Sequence, residues 1–209
     1  MRILIWLVIM LFPFGASADQ RPSVDKVHET AAQLFSEMPK LEPVPMIEGH
    51  CGADDQVHDR IAYCTSSNTI LLSDAGRPSD VAAYEMAHLL GHAVQVRHGV
   101  ADIALREIRA RPSEEVKLRG WVTRQVACIA GFLYAQAGGS AFEIKAHYRE
   151  EPLTRSYWGR NPLSLGPRVS IGISARQEWF DIGLKGDLAA CAPGEFGSEL
   201  LLEALIPTQ

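Results

Sequence analysis

The chain has 209 residues and a formal net charge of −5 at pH 7, from 20 basic and 25 acidic side chains. That length suits one domain with a sizeable hydrophobic core. The charges are interspersed and form no basic stripe, which argues against a protein that binds nucleic acids.

The N-terminal segment has the pattern of a secretory signal peptide. Arg2 precedes an apolar run over residues 3–12, and the triplet ASA at 16–18 resembles a cleavage site. The apolar run is about half the ~20 residues that a membrane-spanning helix needs. We therefore expect cleavage after Ala18 and a periplasmic or secreted protein. Retention of the segment as a membrane anchor is the weaker alternative.

The four cysteines all follow that segment, and none of them forms a C-x-x-C pair typical of metal sites. An even number of cysteines in an oxidising compartment predicts two disulfides, with three possible connectivities. Cys51 and Cys64 flank a short polar segment and are expected to close a local loop. That pairing leaves Cys128 with Cys191.

The N-terminal third predicts a helix, a connector and a β-hairpin. Apolar residues recur at helical spacing from Ser23 to Met38, with Ser23 as the N-cap. The N-terminal region, residues 19–44, ends in a proline-rich connector. The run KLEPVPMI over residues 40–47 contains this connector, and its prolines require an extended or irregular backbone. Segments 61–64 and 69–73, separated by TSSN, predict the hairpin.

The rest of the chain predicts mainly helices, from glycine and proline punctuation and from apolar spacing. The first is a helix capped by Ser79 that runs to about His98 and stops at Gly99. A short amphipathic helix over 102–111 and a second long helix from Pro112-Ser113 to Gly138-Gly139 follow it. The remaining predictions are a surface loop over 147–168, a helix over about 169–183, and a tail, ELLLEALI, that forms a short helix or a strand.

Residues 84–95, YEMAHLLGHAVQ, carry the pattern with most chemistry. His88 and His92 stand four apart on one helical face, and Glu85, three residues before His88, is the acid on the same face. Two histidines at this spacing are the basis of H-E-x-x-H zinc sites, in which the glutamate acts as general base. Here that position is Leu89, which cannot accept or deliver a proton.

Several interpretations of this helix stay open. Glu85 could be a third zinc ligand, since catalytic zinc takes three protein ligands, or a displaced base; it could also be solvated or paired with an arginine such as Arg124. The histidines could simply pack within the helix. His98 is not expected to be a ligand, because a continuing helix carries it about 15 Å from His88.

Four blocks resemble, in order and spacing, the bacterial neutral zinc metallopeptidases. They are CGADDQVHDRIAYCTSSNTILLS, AAYEMAHLLGHAVQ, TRQVACIAG and RQEWFDIGLKGDLAAC. The resemblance covers roughly residues 45–196 and leaves 197–209 as a tail. It implies a zincin-like α+β single domain that is mainly helical, with one β-hairpin and two long helices, and its cysteine pattern supports the pairing above.

The resemblance also implies that the family's chemistry has been lost at several positions. The two metal-binding histidines of the family fall on His88 and His92. The catalytic glutamate falls on Leu89, and the third metal ligand falls on Thr123. An aspartate of the family falls on Ala127, and a further histidine falls on Ser170. Loss of the base together with a ligand points to a pseudo-peptidase.

Three functions remain as hypotheses. The first is a non-catalytic protein that binds a peptide or protein partner in the old cleft, with Tyr148, Tyr157 and Trp158 of the 147–168 segment as a candidate contact surface. The second is an active zinc peptidase with a site rearranged around Glu85. The third is a protein that binds Zn²⁺ or Cu²⁺ without turnover.

Overall fold

The computed structural model describes residues 21–53, 57, 59–76, 81–154 and 169–207, and the backbone alone of 157–158. The predicted signal peptide and Ser79 lie outside the described residues. The fold is α+β and mainly helical, as predicted. Its elements are α1 (Val24–Leu34), β1 (Lys40–Val44), β2 (Ile61–Cys64), β3 (Thr69–Ser73), α2 (Ala82–Arg97), α3 (Val100–Ala110), α4 (Glu115–Gln136), α5 (Ile144–His147), β4 (Tyr157–Trp158), α6 (Gly172–Leu184) and α7 (Glu199–Glu203).

The predicted hairpin is confirmed and forms the centre of a larger sheet. Strands β2 and β3 pair antiparallel, and the sheet order is β1-β3-β2-β4. The connector predicted as extended or irregular provides β1, which pairs parallel to β3 at the end of the sheet. The N–H of Lys40 donates to the carbonyl oxygen of Asn68 at 3.0 Å. The backbone N–H and C=O groups of alternate β1 residues therefore face β3, and the backbone of Pro43 faces away from it. A proline is tolerated there because its missing N–H is not needed by the ladder.

Helix α1 and the predicted loop 147–168 differ from their predicted structures. Helix α1 ends at Leu34 rather than Met38, because the backbone of Phe35 is extended and pairs with Leu205 in an isolated β-bridge. The tail therefore combines both predicted structures, a short helix α7 followed by a strand-like residue. Part of the predicted loop 147–168 is the two-residue strand β4, which pairs parallel to β2.

One hydrophobic core joins the N-terminal helix, the two long helices and the tail. Val27 and Ala31 of α1, Leu89 of α2, Ile129 of α4 and Leu201 of α7 are all completely buried in it. The N-terminal helix and the tail thus pack into the same core as the segment that carries the resemblance.

Helices α4 and α6 approach closely through facing glycines. A Cβ atom on Gly183 would lie 1.8 Å from the carbonyl oxygen of Cys128, and one on Gly131 would lie 2.0 Å from that of Phe180. Neither position can carry a side chain unless the two helices separate.

Gly183→Ala is expected to lower the free energy of unfolding by about 2–3 kcal/mol, because the added methyl group overpacks a backbone contact. Urea denaturation measures the loss. Ser174→Ala, at an exposed position of the same helix, is the matched control and should change stability by less than about 0.5 kcal/mol. Equal effects of the two substitutions would contradict this packing.

Both predicted disulfides are present. Cys51–Cys64 joins the segment before β2 to the end of β2, with 6.2 Å between the Cα atoms, and Cys128–Cys191 ties α4 to the segment after α6, with 5.4 Å. Within the described residues, no helix has the length and apolar character needed to cross a membrane.

Candidate functional site

Helix α2 carries Glu85, His88 and His92 on one face, as the spacing predicts. The two imidazole rings meet edge to face, with 4.8 Å between their centroids and 86° between their planes. Glu85 is fully buried and His88 is 2% exposed, whereas His92 is partly exposed. Other segments of the chain thus shield Glu85 and His88 from water, whereas part of His92 stays accessible.

Glu85 is held by two partners from other segments. Arg60, just before β2, forms a salt bridge with its Oε1 atom and donates from Nε to Oε2 at 3.4 Å. The hydroxyl of Tyr148, just after α5, donates to Oε1 at 2.8 Å. The suggested partner Arg124 is wrong, because its guanidinium lies over the ring of Trp121, 5.0 Å from the centroid.

His88 contacts a different ion pair, in which both side chains are buried. Nη1 of Arg176, on α6, lies 3.1 Å from Nδ1 of His88. The same guanidinium donates from Nε to Oε1 of Glu151 at 3.1 Å and forms a salt bridge with it. Both side chains of this pair are buried, at 4% and 7% exposure.

Glu151 also holds the beginning of α6. Its Oε2 atom accepts hydrogen bonds from the hydroxyl of Ser170 and from the backbone N–H of Gly172, the latter at 3.2 Å. A carboxylate at this end of a helix is favoured by the helix dipole. Ser170, Glu151, Arg176 and His88 therefore form one continuous polar chain.

The electrostatics of the face follow from this burial. Burial, then Arg176, then His92 lower the pKa of His88 well below its ordinary value, and burial followed by Arg176 lowers the pKa of His92 to about 3. Burial raises the pKa of Glu151, but Arg176 and the hydrogen bonds it accepts outweigh that effect and leave it lowered. Burial and the neighbouring Glu85 raise the pKa of the Tyr148 phenol.

The protein is expected to lose stability as the pH falls below about 6.5. Below pH 6.5, the ordinary pKa of histidine, His88 and His92 take up protons in the unfolded chain. In the folded protein they stay neutral until the pH approaches their lowered pKa values. Each such proton lowers the free energy of unfolding by about 1.4 kcal/mol per pH unit. Urea denaturation between pH 7.5 and pH 5 measures the slope, and His92→Gln should reduce it. A flat profile over this range would contradict the burial of neutral imidazoles.

Most of the positions that the resemblance aligns with catalytic or ligand residues of the neutral zinc metallopeptidases have ordinary structural surroundings. Leu89 is fully buried in the core, and Ala127 is 2% exposed on α4. The hydroxyl of Thr123 donates to the carbonyl oxygen of Arg119 at 3.0 Å, within its own helix. Ser170 is the exception, since Glu151 and Arg176 link it to His88.

The remaining predicted residues lie apart from this face or outside the described side chains. His98 is the C-cap of α2, and its ring lies 5.9 Å from that of Phe35. Of the proposed contact surface, Tyr148 turns inward to Glu85; the side chains of Tyr157 and Trp158 lie outside the described residues.

Sequence reasoning did not identify Arg60, Glu151 or Arg176 as members of the site. Arg176 opens the RQEWF block that carries the resemblance, which is a signal for an important residue but not for its contact with His88. No local spacing relates Arg60 to Glu85 or Glu151 to Arg176, because each of these contacts joins residues 25 apart.

The residues described on this face of α2 do not fit a zinc ion. Among the residues that the structure describes, no three His, Cys, Asp or Glu side chains form a group that could hold a metal. Both oxygens of Glu85 and Nδ1 of His88 are engaged by cationic or hydroxyl donors. No protein-family model, curated protein or solved structure matches the chain.

Proposed function

We propose that this chain is an exported, zincin-like protein that resembles the neutral zinc metallopeptidases, lacks catalysis and binds a peptide or protein partner. The leading support is Leu89, which stands fully buried at the position of the general base. General acid–base catalysis contributes roughly 100- to 10,000-fold to a rate, and leucine supplies none of it.

The rearranged peptidase is the weaker candidate because Glu85 is already engaged. It is the only acidic residue of α2. Its buried carboxylate is paired with Arg60, whose own side chain is 31% exposed. A role as base or ligand would require Glu85 to leave this pair, and a buried charge left without its partner costs several kcal/mol. Metal binding without turnover needs the same carboxylate and imidazole atoms.

Export is supported by the signal-peptide pattern and by the two disulfides, since disulfides persist in oxidising compartments. The partner site that we favour is a groove of about 530 Å³ beside β1, rather than the covered histidine face. Its walls include Arg21, Asp25, Leu41, Pro43, Leu72 and Ala83.

An extended peptide is the occupant that this groove suits best. β1 lies at the end of the sheet, and its alternation turns the N–H and C=O of Leu41 outward, where another strand could add. The apolar side chains of Leu41 and Pro43 offer contacts for alternate residues of such a strand. The charges of Arg21 and Asp25 at the rim would orient it.

The absence of catalysis is tested with the oxidised, tag-free mature chain and casein as substrate. We expect no cleavage, with or without added zinc, beyond that of the matched His88→Ala/His92→Ala variant. Cleavage by the natural chain that this variant abolishes would overturn the proposal and restore the rearranged peptidase.

The peptide groove is tested by fluorescence anisotropy with a panel of labelled extended peptides. Leu41→Arg should weaken binding at least tenfold, because it places a charge in the apolar groove. Leu202→Arg, at an exposed apolar residue of α7, is the matched control and should leave binding unchanged. Equal binding by both variants would exclude the β1 groove.

A further inference from the structure

The contact between Arg176 and His88 determines which imidazole nitrogen carries the proton. A guanidinium has only N–H donors and stays charged at all accessible pH values. Nδ1 of His88, 3.1 Å from Nη1, must therefore accept the hydrogen bond. A neutral His88 then carries its proton on Nε2.

This arrangement is the reverse of the one that metal-binding histidines need. A histidine ligand gives the lone pair of one nitrogen to the metal and donates the N–H of the other to a carboxylate, a carbonyl or water. In His88 the lone pair of Nδ1 points to a cation, and Nε2 is protonated. No lone pair remains for a metal.

The charges around the face oppose a second cation in the same way. Glu85 is paired with Arg60 and Glu151 with Arg176, so both carboxylates described beside this face already have a cationic partner. Arg176 is 4% exposed, and solvent therefore screens its charge poorly. A divalent ion beside His88 would face this guanidinium at close range.

We propose that Arg176 is an internal cation that takes the place of a metal: it is a positioning residue that locks His88 as a hydrogen-bond donor and excludes divalent metals from the His88–His92 pair. Glu151 holds the guanidinium in place from the start of α6. This inference rests on the proposed non-catalytic function and explains how the two histidines persist without a metal.

The test removes the internal cation while keeping the site neutral and its volume similar. The variant is Glu151→Gln/Arg176→Met, in the oxidised mature chain, and the probe is Zn²⁺ in competition with a chromogenic chelator. The natural chain should bind zinc no better than the His88→Ala/His92→Ala control. The double variant should bind at least about tenfold more tightly, the smaller end of second-shell effects on metal affinity, and His92→Ala added to it should abolish the gain.

A second measurement on the natural chain is independent of whether the variant folds. ¹⁵N NMR of the imidazole nitrogens at pH 7 should show His88 with its proton on Nε2. A proton on Nδ1 would overturn the proposal, as would zinc bound by the natural chain and lost in the His88→Ala/His92→Ala control. A folded double variant with no gain in zinc affinity would overturn it too.

These outcomes separate the two proposals. Zinc binding by the natural chain without casein cleavage overturns metal exclusion alone and leaves the non-catalytic function standing. Zinc binding with cleavage overturns both.

Discussion

Leu89→Glu, which creates the sequence H-E-x-x-H over residues 88–92, is expected to destabilise the protein by about 4 kcal/mol or more and to produce no peptidase. The substitution removes a fully buried leucine from the core, and with it apolar burial worth about 1.5–3 kcal/mol. It also buries a carboxyl group without a prepared partner, which adds a desolvation cost. Urea denaturation measures the stability, and casein cleavage with added zinc measures the activity.

Leu89→Met is the matched control for this substitution. It keeps the volume and the apolar character of the site, and it should cost less than about 1.5 kcal/mol. Metal-dependent cleavage by a stable Leu89→Glu variant would show that the face retains a working zinc site, contrary to our expectation.

Removal of the Cys128–Cys191 disulfide, as Cys128→Ala/Cys191→Ala, is expected to lower the free energy of unfolding by about 4 kcal/mol. The bond spans 63 residues, and a cross-link of that span removes about this much chain entropy from the unfolded state. It also anchors α4 beside the close contact with α6. For a chain of this size the loss corresponds to a fall of roughly 10 °C in Tm.

The second disulfide is the natural comparison. Cys51–Cys64 spans 13 residues, so Cys51→Ala/Cys64→Ala should cost only about 3 kcal/mol by the same chain-entropy relation. Calorimetry of both variants under non-reducing conditions measures the difference. A larger loss from the shorter cross-link would contradict this ranking and would point to a structural role for the segment that holds Arg60.

Local patterns in the sequence were enough to predict most elements. The hairpin at 61–64 and 69–73 has residues that favour strands on both sides of a polar turn. Gly99 has the left-handed conformation (φ 77°) expected after the end of α2. Helix α5 was missed, because its four residues are too few for an apolar repeat to be recognised. The first five residues of KLEPVPMI form the strand β1 because they pair with β3. The residues of the segment do not by themselves specify that partner.

The sequence by itself determined that His88, His92 and Glu85 share a helical face and that the residue after His88 is Leu89, which cannot transfer a proton. These statements follow from helical periodicity and from the chemistry of single side chains. Only the tertiary structure decided what surrounds that face. Arg60 and Tyr148 contact Glu85, and Arg176, which Glu151 holds, contacts His88. A buried charge or imidazole takes its protonation state from such neighbours rather than from its position along the chain.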